Sequence, residues 1–232
     1  MKSAGMMCAL AVCAGAACSA NAGIVTTDPG LYTTLEGRYD ARIRLDGGNS
    51  QTWKTAVWNT GAFGGSLITT SGNQQNAFNS GVDYDFELGY TASTGALSLS
   101  VFGANNGDVL LNTTQSLSPG FEFGGFRYFI KANSAGITTV SGLEASLDGG
   151  TPVSLSGLSA NGFAQGPTYF FDSVTDELSL TGSIRFDFAG LTANQIQGER
   201  FAFDVILLQG VPAPSTAALL GVAGLAATRR RR

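Results

Sequence analysis

The stretch that decides the fold class is LSLTGSIRFDF, residues 178–188. Apolar residues or Gly stand at every second position, and Ser, Thr, Arg and Asp stand between them. Successive side chains of a β-strand point to opposite faces of a sheet, so this period of two predicts a long strand with one buried and one solvated face. The same alternation recurs in residues 36–45, 83–90, 97–101 and 201–207. The chain is therefore predicted to consist mainly of β-strands.

Shorter strands and turns complete this prediction. Strand candidates with fewer alternations are residues 53–58, 126–131, 143–147 and 153–158. The turn at 92–95 ends in Gly95, which tolerates a positive φ, and it predicts a hairpin. Exposed loops are predicted at the Gly- and Asn-rich residues 72–76 and 103–107. Ten or so one-sided strands, with one or two helical turns at 193–200, predict an all-β, antiparallel β-sandwich or jelly roll over residues 23–210.

The composition of the chain excludes several functional classes. The 232 residues include no His, which rules out His-based catalytic triads and His-ligated zinc. Residues 23–210 contain 8 Lys and Arg against 17 Asp and Glu, a formal charge of −9, because five of the 13 basic residues lie outside this range. Such an acidic surface argues against a nucleic-acid partner and favours solubility or cation binding.

The N-terminus has the pattern of a secretory signal peptide. Lys2 precedes the apolar residues 4–17, and the triplet Ala20-Asn21-Ala22 forms an A-x-A cleavage site. The apolar run is shorter than the ~20 residues that a membrane span needs. We therefore expect signal peptidase to remove residues 1–22 and to leave Gly23 as the first residue of the mature protein.

All three cysteines, Cys8, Cys13 and Cys18, lie in this predicted signal peptide. The mature protein is therefore expected to contain no disulfide and no thiolate metal site. A lipoprotein with Cys18 as the lipidated residue is the alternative, but Gly15 stands where a bulky aliphatic residue is required.

The C-terminus combines a Pro-rich motif, an apolar segment and a basic cluster. The chain reads Val211-Pro212-Ala213-Pro214, then STAALLGVAGLAAT at 215–228, then Arg229, Arg230, Arg231 and Arg232. A helix over 14 residues is about 21 Å long, so it is a short span for a hydrocarbon core of about 30 Å. The Arg cluster is expected to stay in the cytoplasm, which places the domain outside the membrane.

This arrangement resembles the PEP-CTERM sorting signal of exported bacterial proteins, with Ala213 in the place of the family's Glu. The resemblance covers residues 211–232 and implies recognition and processing by an exosortase-type enzyme. It also implies an exported protein of the cell envelope or extracellular matrix. The C-terminal helix would hold that protein in the inner membrane, either transiently or stably.

The middle of the chain resembles the choice-of-anchor W type of exoprotein domain. The residues that carry this resemblance are 53–61, 82–88 and 178–188. Domains of this type are combined with alternative surface-sorting tails. The resemblance implies no activity and no functional residue.

Three carboxylates on one predicted strand face, Asp83, Asp85 and Glu87, form the sharpest candidate site. The spacing resembles the Glu-x-Asp-x-Glu strand of jelly-roll glucanases, in which the outer two carboxylates are nucleophile and general acid. The favoured interpretation is a solvated strand face; a Ca²⁺ site and a catalytic pair are the alternatives. Asp172 and Asp176 form a second acidic group, for which a plain turn is favoured over a Ca²⁺ site.

Other charged and aromatic residues have a simpler interpretation. Arg38, Arg42 and Arg44 are predicted to share one strand face with Glu36 and Asp40, a mixture that indicates cross-strand ion pairs rather than an anion site. Trp53 and Trp58 lie five residues apart and are expected to point to opposite faces, so that at least one belongs to the core.

The sequence thus predicts an exported β-domain with a structural or adhesive role, without catalytic residues and without a required cofactor. The alternative is a carbohydrate-binding or carbohydrate-cleaving jelly roll, with an extracellular polysaccharide as partner. A Trp-lined groove at Asp83, Asp85 and Glu87 would favour carbohydrate chemistry, whereas a flat exposed face would favour the structural role.

Overall fold

A computed structural model of the protein describes residues 23–45, 52–59, 66–104, 107–118, 123–196 and 200–212. Within these ranges the chain forms fourteen strands and one short helix. The elements are β1 (Ile24–Val25), β2 (Tyr32–Leu45), β3 (Thr52–Asn59), β4 (Ser66–Gln75), β5 (Asp83–Thr91), β6 (Ala96–Phe102), β7 (Val109–Ser116), β8 (Phe123–Lys131), β9 (Ile137–Leu147), β10 (Val153–Ser154), β11 (Leu158–Ala160), β12 (Phe163–Phe171), β13 (Glu177–Asp187), α1 (Ala193–Ile196) and β14 (Ala202–Pro212).

The strands form two antiparallel sheets. Sheet A has the order β1-β12-β8-β14-β2-β3-β4. Sheet B has the order β10-β9-β13-β5-β6-β7, and β11 pairs with β9 beside β10. The described part of the chain is therefore all-β, as predicted, and the sheets face each other in a sandwich-like arrangement.

One hydrophobic core lies between the two sheets. Trp53 of sheet A packs on Phe186 of sheet B with ring centroids 4.6 Å apart, and Phe86 of sheet B packs on Phe203 of sheet A at 4.8 Å. Offset and tilted aromatic pairs at these distances are stabilising beyond the area that they bury. The residues that alternate with them along each strand form the two outer faces of the molecule.

The strongly alternating segments form strands where they are predicted. Residues 178–187 fall on β13, residues 83–90 on β5 and residues 97–101 on β6, and only Phe188 of the predicted strand lies beyond its end. The β5–β6 hairpin is also confirmed, and Gly95 in its turn has a φ of 68°. These segments have complete alternation because one face of each strand is buried and the other exposed.

Two local predictions are wrong. Residues 72–75 lie in β4 rather than in a loop, because they pair with β3 at the edge of sheet A, where polar residues are tolerated. Residues 153–158 do not form one strand: β10 ends at Ser154 and β11 begins at Leu158. A Cβ at Gly157 would lie 2.7 Å from the Val140 carbonyl oxygen, so the chain approaches β9 closely between these two strands.

The pattern also misses β7 and β12. β12 contains Gly166 and Pro167, and its register with β8 shifts between Gln165 and Thr168. A Pro lacks the backbone donor that a ladder needs, so this bulge hides the alternation in the sequence.

Replacement of Phe203 by Ala is expected to lower the free energy of unfolding by about 3–5 kcal/mol, because it leaves a cavity between the sheets. Phe203 is 1% exposed. Phe163→Ala is the matched control, since Phe163 is 67% exposed, and it should cost far less. Urea titration measures both values, and equal losses would contradict this description of the core.

Candidate functional site

The three carboxylates predicted on one strand face lie on the outer face of sheet B. Asp83, Asp85 and Glu87 are exposed and alternate with the buried Tyr84 and Phe86 along β5. The hydroxyl of Ser183 donates a hydrogen bond to Asp85 at 2.6 Å, and Arg185 is the register partner of Asp83. The prediction of a shared, solvated face is therefore confirmed for these three residues.

The geometry of β5 is relevant to the alternative that Asp83 and Glu87 form a catalytic pair. The register of β5 with β13 is continuous from Asp83 to Thr91, without a bulge. Cα atoms four residues apart on a regular strand are separated by about 13 Å, whereas a retaining carboxylate pair needs about 5–5.5 Å between carboxyl groups. The strand therefore lacks the local distortion that would bring Asp83 and Glu87 together.

Two shallow depressions lie on this outer face. One, of about 480 Å³, is lined by Asp85, Glu87, Phe102, Gly142 and Thr181, among others. The other, of about 460 Å³, contains backbone and small side chains around Gly89, Ser98 and Glu177. Neither depression has a Trp among its described lining residues, and both tryptophans of the chain lie on β3 of sheet A. The Trp-lined groove that would favour carbohydrate chemistry is thus not found on this face.

Asp172 and Asp176 occupy the loop between β12 and β13 but bind different partners. Asp172 Oδ1 accepts a hydrogen bond from the backbone N–H of Gly23 at 2.6 Å. Asp176 accepts from the backbone N–H and the hydroxyl of Ser93, both at 2.6 Å. Each carboxylate therefore fastens the loop to another element.

Asp148, which the sequence pattern does not single out, organises the same loop. It accepts hydrogen bonds from the Thr175 hydroxyl at 2.8 Å and from the backbone N–H groups of Asp176 and Glu177 at 2.9 and 2.8 Å. Partial burial acts to raise the pKa of Asp148, but these donors outweigh it and the pKa is lowered. Within the described ranges, no group of three Asp or Glu residues is arranged to hold a metal ion.

A second cluster of charges lies on the outer face of sheet A. Arg42 Nε donates to Asp40 Oδ2 at 2.8 Å, and Arg42 Nη2 lies 2.5 Å from the same oxygen. The same Nε lies 3.4 Å from Asp204 Oδ2. One guanidinium therefore serves two carboxylates, of which Asp40 is 2% exposed at its side chain and Asp204 is 21% exposed.

Burial controls the ionisation of this Asp40–Asp204 pair. Burial raises the pKa of Asp40, although the hydrogen bond and charge of Arg42 oppose it. Burial and the neighbouring charge of Asp40 together raise the pKa of Asp204 to about 7. The Oδ1 atoms of both residues are buried and have no hydrogen-bond partner among the described residues. At neutral pH part of the Asp204 population is therefore protonated.

The two tryptophans take the opposite orientations that their spacing predicts. Trp53 is fully buried in the core, and Trp58 lies on the outer face of sheet A. The guanidinium carbons of Arg42 and Arg44 each lie 5.1 Å from the Trp58 ring centroid. These distances place both arginines in cation–π contact with Trp58.

The predicted ion pairing on β2 is confirmed for Arg42, but the predicted face is wrong at Arg38. β14 pairs Leu207 with Tyr39 and Leu208 with Gly37, so Arg38 forms a bulge. Its guanidinium lies 5.3 Å from the ring centroid of the buried Tyr39, which is on the core side. A single-residue bulge moves a side chain out of the alternation, and no local sequence signal marks it.

No protein-family model matches the chain, and no curated protein matches it. In the part of the chain that the structure describes, no helix is long and apolar enough to cross a membrane. The predicted signal peptide 1–22, the apolar segment 215–228 and the Arg cluster 229–232 lie outside the described residues.

The Asp204→Asn variant is expected to be more stable than the wild type at pH 8 and equally stable at about pH 3, below the pKa of an unfolded Asp. The folded-state pKa of about 7 exceeds the ~3.9 of an unfolded Asp, so the wild type loses stability as pH rises through this window. Asn carries no charge, and we expect a gain of about 1–2 kcal/mol at pH 8 by urea titration.

Asp85→Asn is the control for this measurement, since Asp85 is an exposed strand carboxylate on the other sheet. It should show no comparable gain at pH 8. A loss of stability in Asp204→Asn at pH 8 would mean that the ion pair with Arg42 outweighs the cost of burying the charge.

Proposed function

We propose that this chain is an exported bacterial protein of the cell surface or extracellular matrix with a structural or adhesive role. Its central domain is a β-sandwich of jelly-roll type, and both ends of the chain are processed. Signal peptidase acts after Ala22, and an exosortase-type enzyme acts on the tail at 211–232. No catalytic residue, cofactor or nucleic-acid partner is assigned.

The observation that carries this proposal is the environment of Gly23. Its backbone N–H donates to Asp172 Oδ1 at 2.6 Å, and its carbonyl accepts from the Asp172 backbone N–H at 3.1 Å. A Cβ at this position would come very close to the Asp172 carboxylate, so a larger residue would have to displace this flexible side chain. Cleavage after Ala22 would convert the amide nitrogen of Gly23 into an ammonium that faces this carboxylate. The contact thus supports Gly23 as the mature N-terminus.

The end of β14 supports the second part of the proposal. β14 continues through Val211 to Pro212, which pairs with Tyr32 of β2. The motif that resembles a sorting signal therefore begins inside the last strand, without a linker. A membrane-inserted segment at 215–228 would hold the domain directly against the outer surface of the membrane, where a processing enzyme would meet the motif.

Carbohydrate binding is the second candidate function. The depression lined by Asp85, Glu87 and Thr181 offers carboxylates and hydroxyls on an open sheet face, which are groups that bind sugar hydroxyls. An extracellular polysaccharide would be the partner, in keeping with an adhesive role.

Intact-mass measurement and N-terminal sequencing of the protein from its own host are expected to find Gly23 as the first residue. Detection of Met1, or of a lipidated Cys18, would contradict the proposed processing. Asp172→Asn should lower the free energy of unfolding of the processed protein by about 0.5–1 kcal/mol, since an exposed ion pair contributes this much at most. Ser173→Ala is the matched control, because the Ser173 hydroxyl only donates to the same carboxylate.

Replacement of Arg229–Arg232 by Ser is expected to leave unprocessed precursor or to release unsorted protein. Each Arg costs about 2.5–3.5 kcal/mol at the centre of a span, so the cluster is what stops the short helix in the membrane. Replacement by Lys retains the charge and is the control. Immunoblots of membrane, surface and medium fractions distinguish the outcomes, and wild-type processing of the Ser variant would refute this role of the tail.

A further inference from the structure

The outer face of sheet A is basic, although the domain is acidic. The described side chains on this basic face include five of the eight Lys and Arg residues in 23–210, of which Arg44 and Lys54 are buried. These five are Arg42, Arg44, Lys54, Arg127 and Lys131. Asp40 and Asp204 oppose them on the same face, and Asp40 is buried as well, so the accessible described charges are three basic groups against Asp204, a sum of +2.

The outer face of sheet B is acidic. Its described charged residues are Arg185 and six carboxylates, a formal charge of −5. The carboxylates are Asp83, Asp85, Glu87, Glu144, Glu177 and Asp187. The remaining positions on this acidic face are mostly small, such as Ser98, Ser100 and Ser183, so another surface has close access to the sheet.

The two faces also complement each other in shape. Phe163 is 67% exposed on the basic face and stacks on Phe129, with ring centroids 5.3 Å apart. The acidic face has the depression of about 480 Å³ that contains Phe102 and Gly142. Such a depression is large enough to receive an aromatic ring, so each face supplies the counterpart of a feature on the other.

The area of the faces suits a stable association. Strands are spaced by about 4.8 Å and rise about 3.3 Å per residue, so the paired part of either sheet covers roughly 30 Å by 30 Å. This gives on the order of 800–900 Å² per partner, which is the size of a standard protein–protein interface.

We propose that copies of this chain associate head to tail, with the basic face of one copy against the acidic face of the next. The occupant of each face is thus a second copy of the same chain. The faces differ, so the contact is heterologous, and repetition of it produces open filaments rather than closed dimers. This inference goes beyond the proposed export and does not depend on it.

Sedimentation velocity of the chain purified from its host tests the proposal. At about 50 mM NaCl the average mass of the wild type should at least double between roughly 10 and 200 µM, and at about 500 mM it should stay that of a monomer, since salt screens the two faces. A wild type that is monomeric in low salt would overturn the proposal.

Two charge-reversal variants give the sharper test. Arg127→Glu with Lys131→Glu alters the basic face, and Glu87→Lys with Glu144→Lys alters the acidic face. The altered basic face then carries −2 and repels the acidic face, whereas the altered acidic face falls from −5 to −1 and attracts the basic face much less. Each variant alone should therefore assemble less than the wild type. An equimolar mixture retains one intact pair of faces and should form a 1:1 dimer that does not grow. A mixture that stays monomeric, or variants that assemble like the wild type, would overturn the proposal.

Controls separate this contact from general charge effects and from misfolding. Asp28→Lys with Val174→Lys changes the net charge in loops outside both faces and should assemble like the wild type. If circular dichroism shows that the double variant is unfolded, Lys131→Glu alone replaces it in the test, because Lys131 is at an exposed position. Binding of polygalacturonate to a monomeric wild type through the basic face would assign that face to an acidic polymer and refute self-association.

Discussion

The pairing of β14 on both of its sides is the constraint on which the rest of the structure depends. β14 lies between β2 and β8, so the last described strand occupies the middle of sheet A. Its inward side chains, Phe203, Val205 and Leu207, belong to the core, and its outward Asp204 completes the charged cluster with Arg42. Both the packing between the sheets and the character of the basic face therefore depend on one register, which joins residues 158 to 180 positions apart in sequence.

The buried charges beside β14 show how the outer face departs from an ordinary solvated surface. An outward strand position usually keeps its side chain in water, yet Asp40 is nearly inaccessible. Arg42 binds Asp40 directly, and Trp58, the register partner of Asp40, is in cation–π contact with both Arg42 and Arg44. The raised pKa values of both carboxylates indicate that the cost of burial is only partly offset by this arginine pairing.

The sequence predicts those features that depend on neighbouring residues. β5, β6 and β13 alternate because each has one buried face, and the hairpin turn follows from Gly95. The sequence pattern does not predict β4, because an edge strand need not be apolar. It does not predict β12, because Gly166 and Pro167 disturb its period of two. The candidate sites also differ in whether they depend on neighbouring residues or on strands that are distant in sequence. The shared face of Asp83, Asp85 and Glu87 is local, whereas the Asp40–Asp204 pair and the contact of Gly23 with Asp172 arise from registers between distant strands. A single sequence contains no signal for such registers.

The position of β14 also determines how the domain bears mechanical load. A force applied to its C-terminal end and directed along the strand acts on two flanking ladders whose hydrogen bonds lie across the direction of pull. Those bonds share the load and must rupture together, a shear geometry that resists extension. β1 has two residue pairs at the edge of the same sheet, so a force at its N-terminal end would peel it away one bond at a time. These pairings predict that the described domain resists a pull at the end of β14 better than a pull at β1.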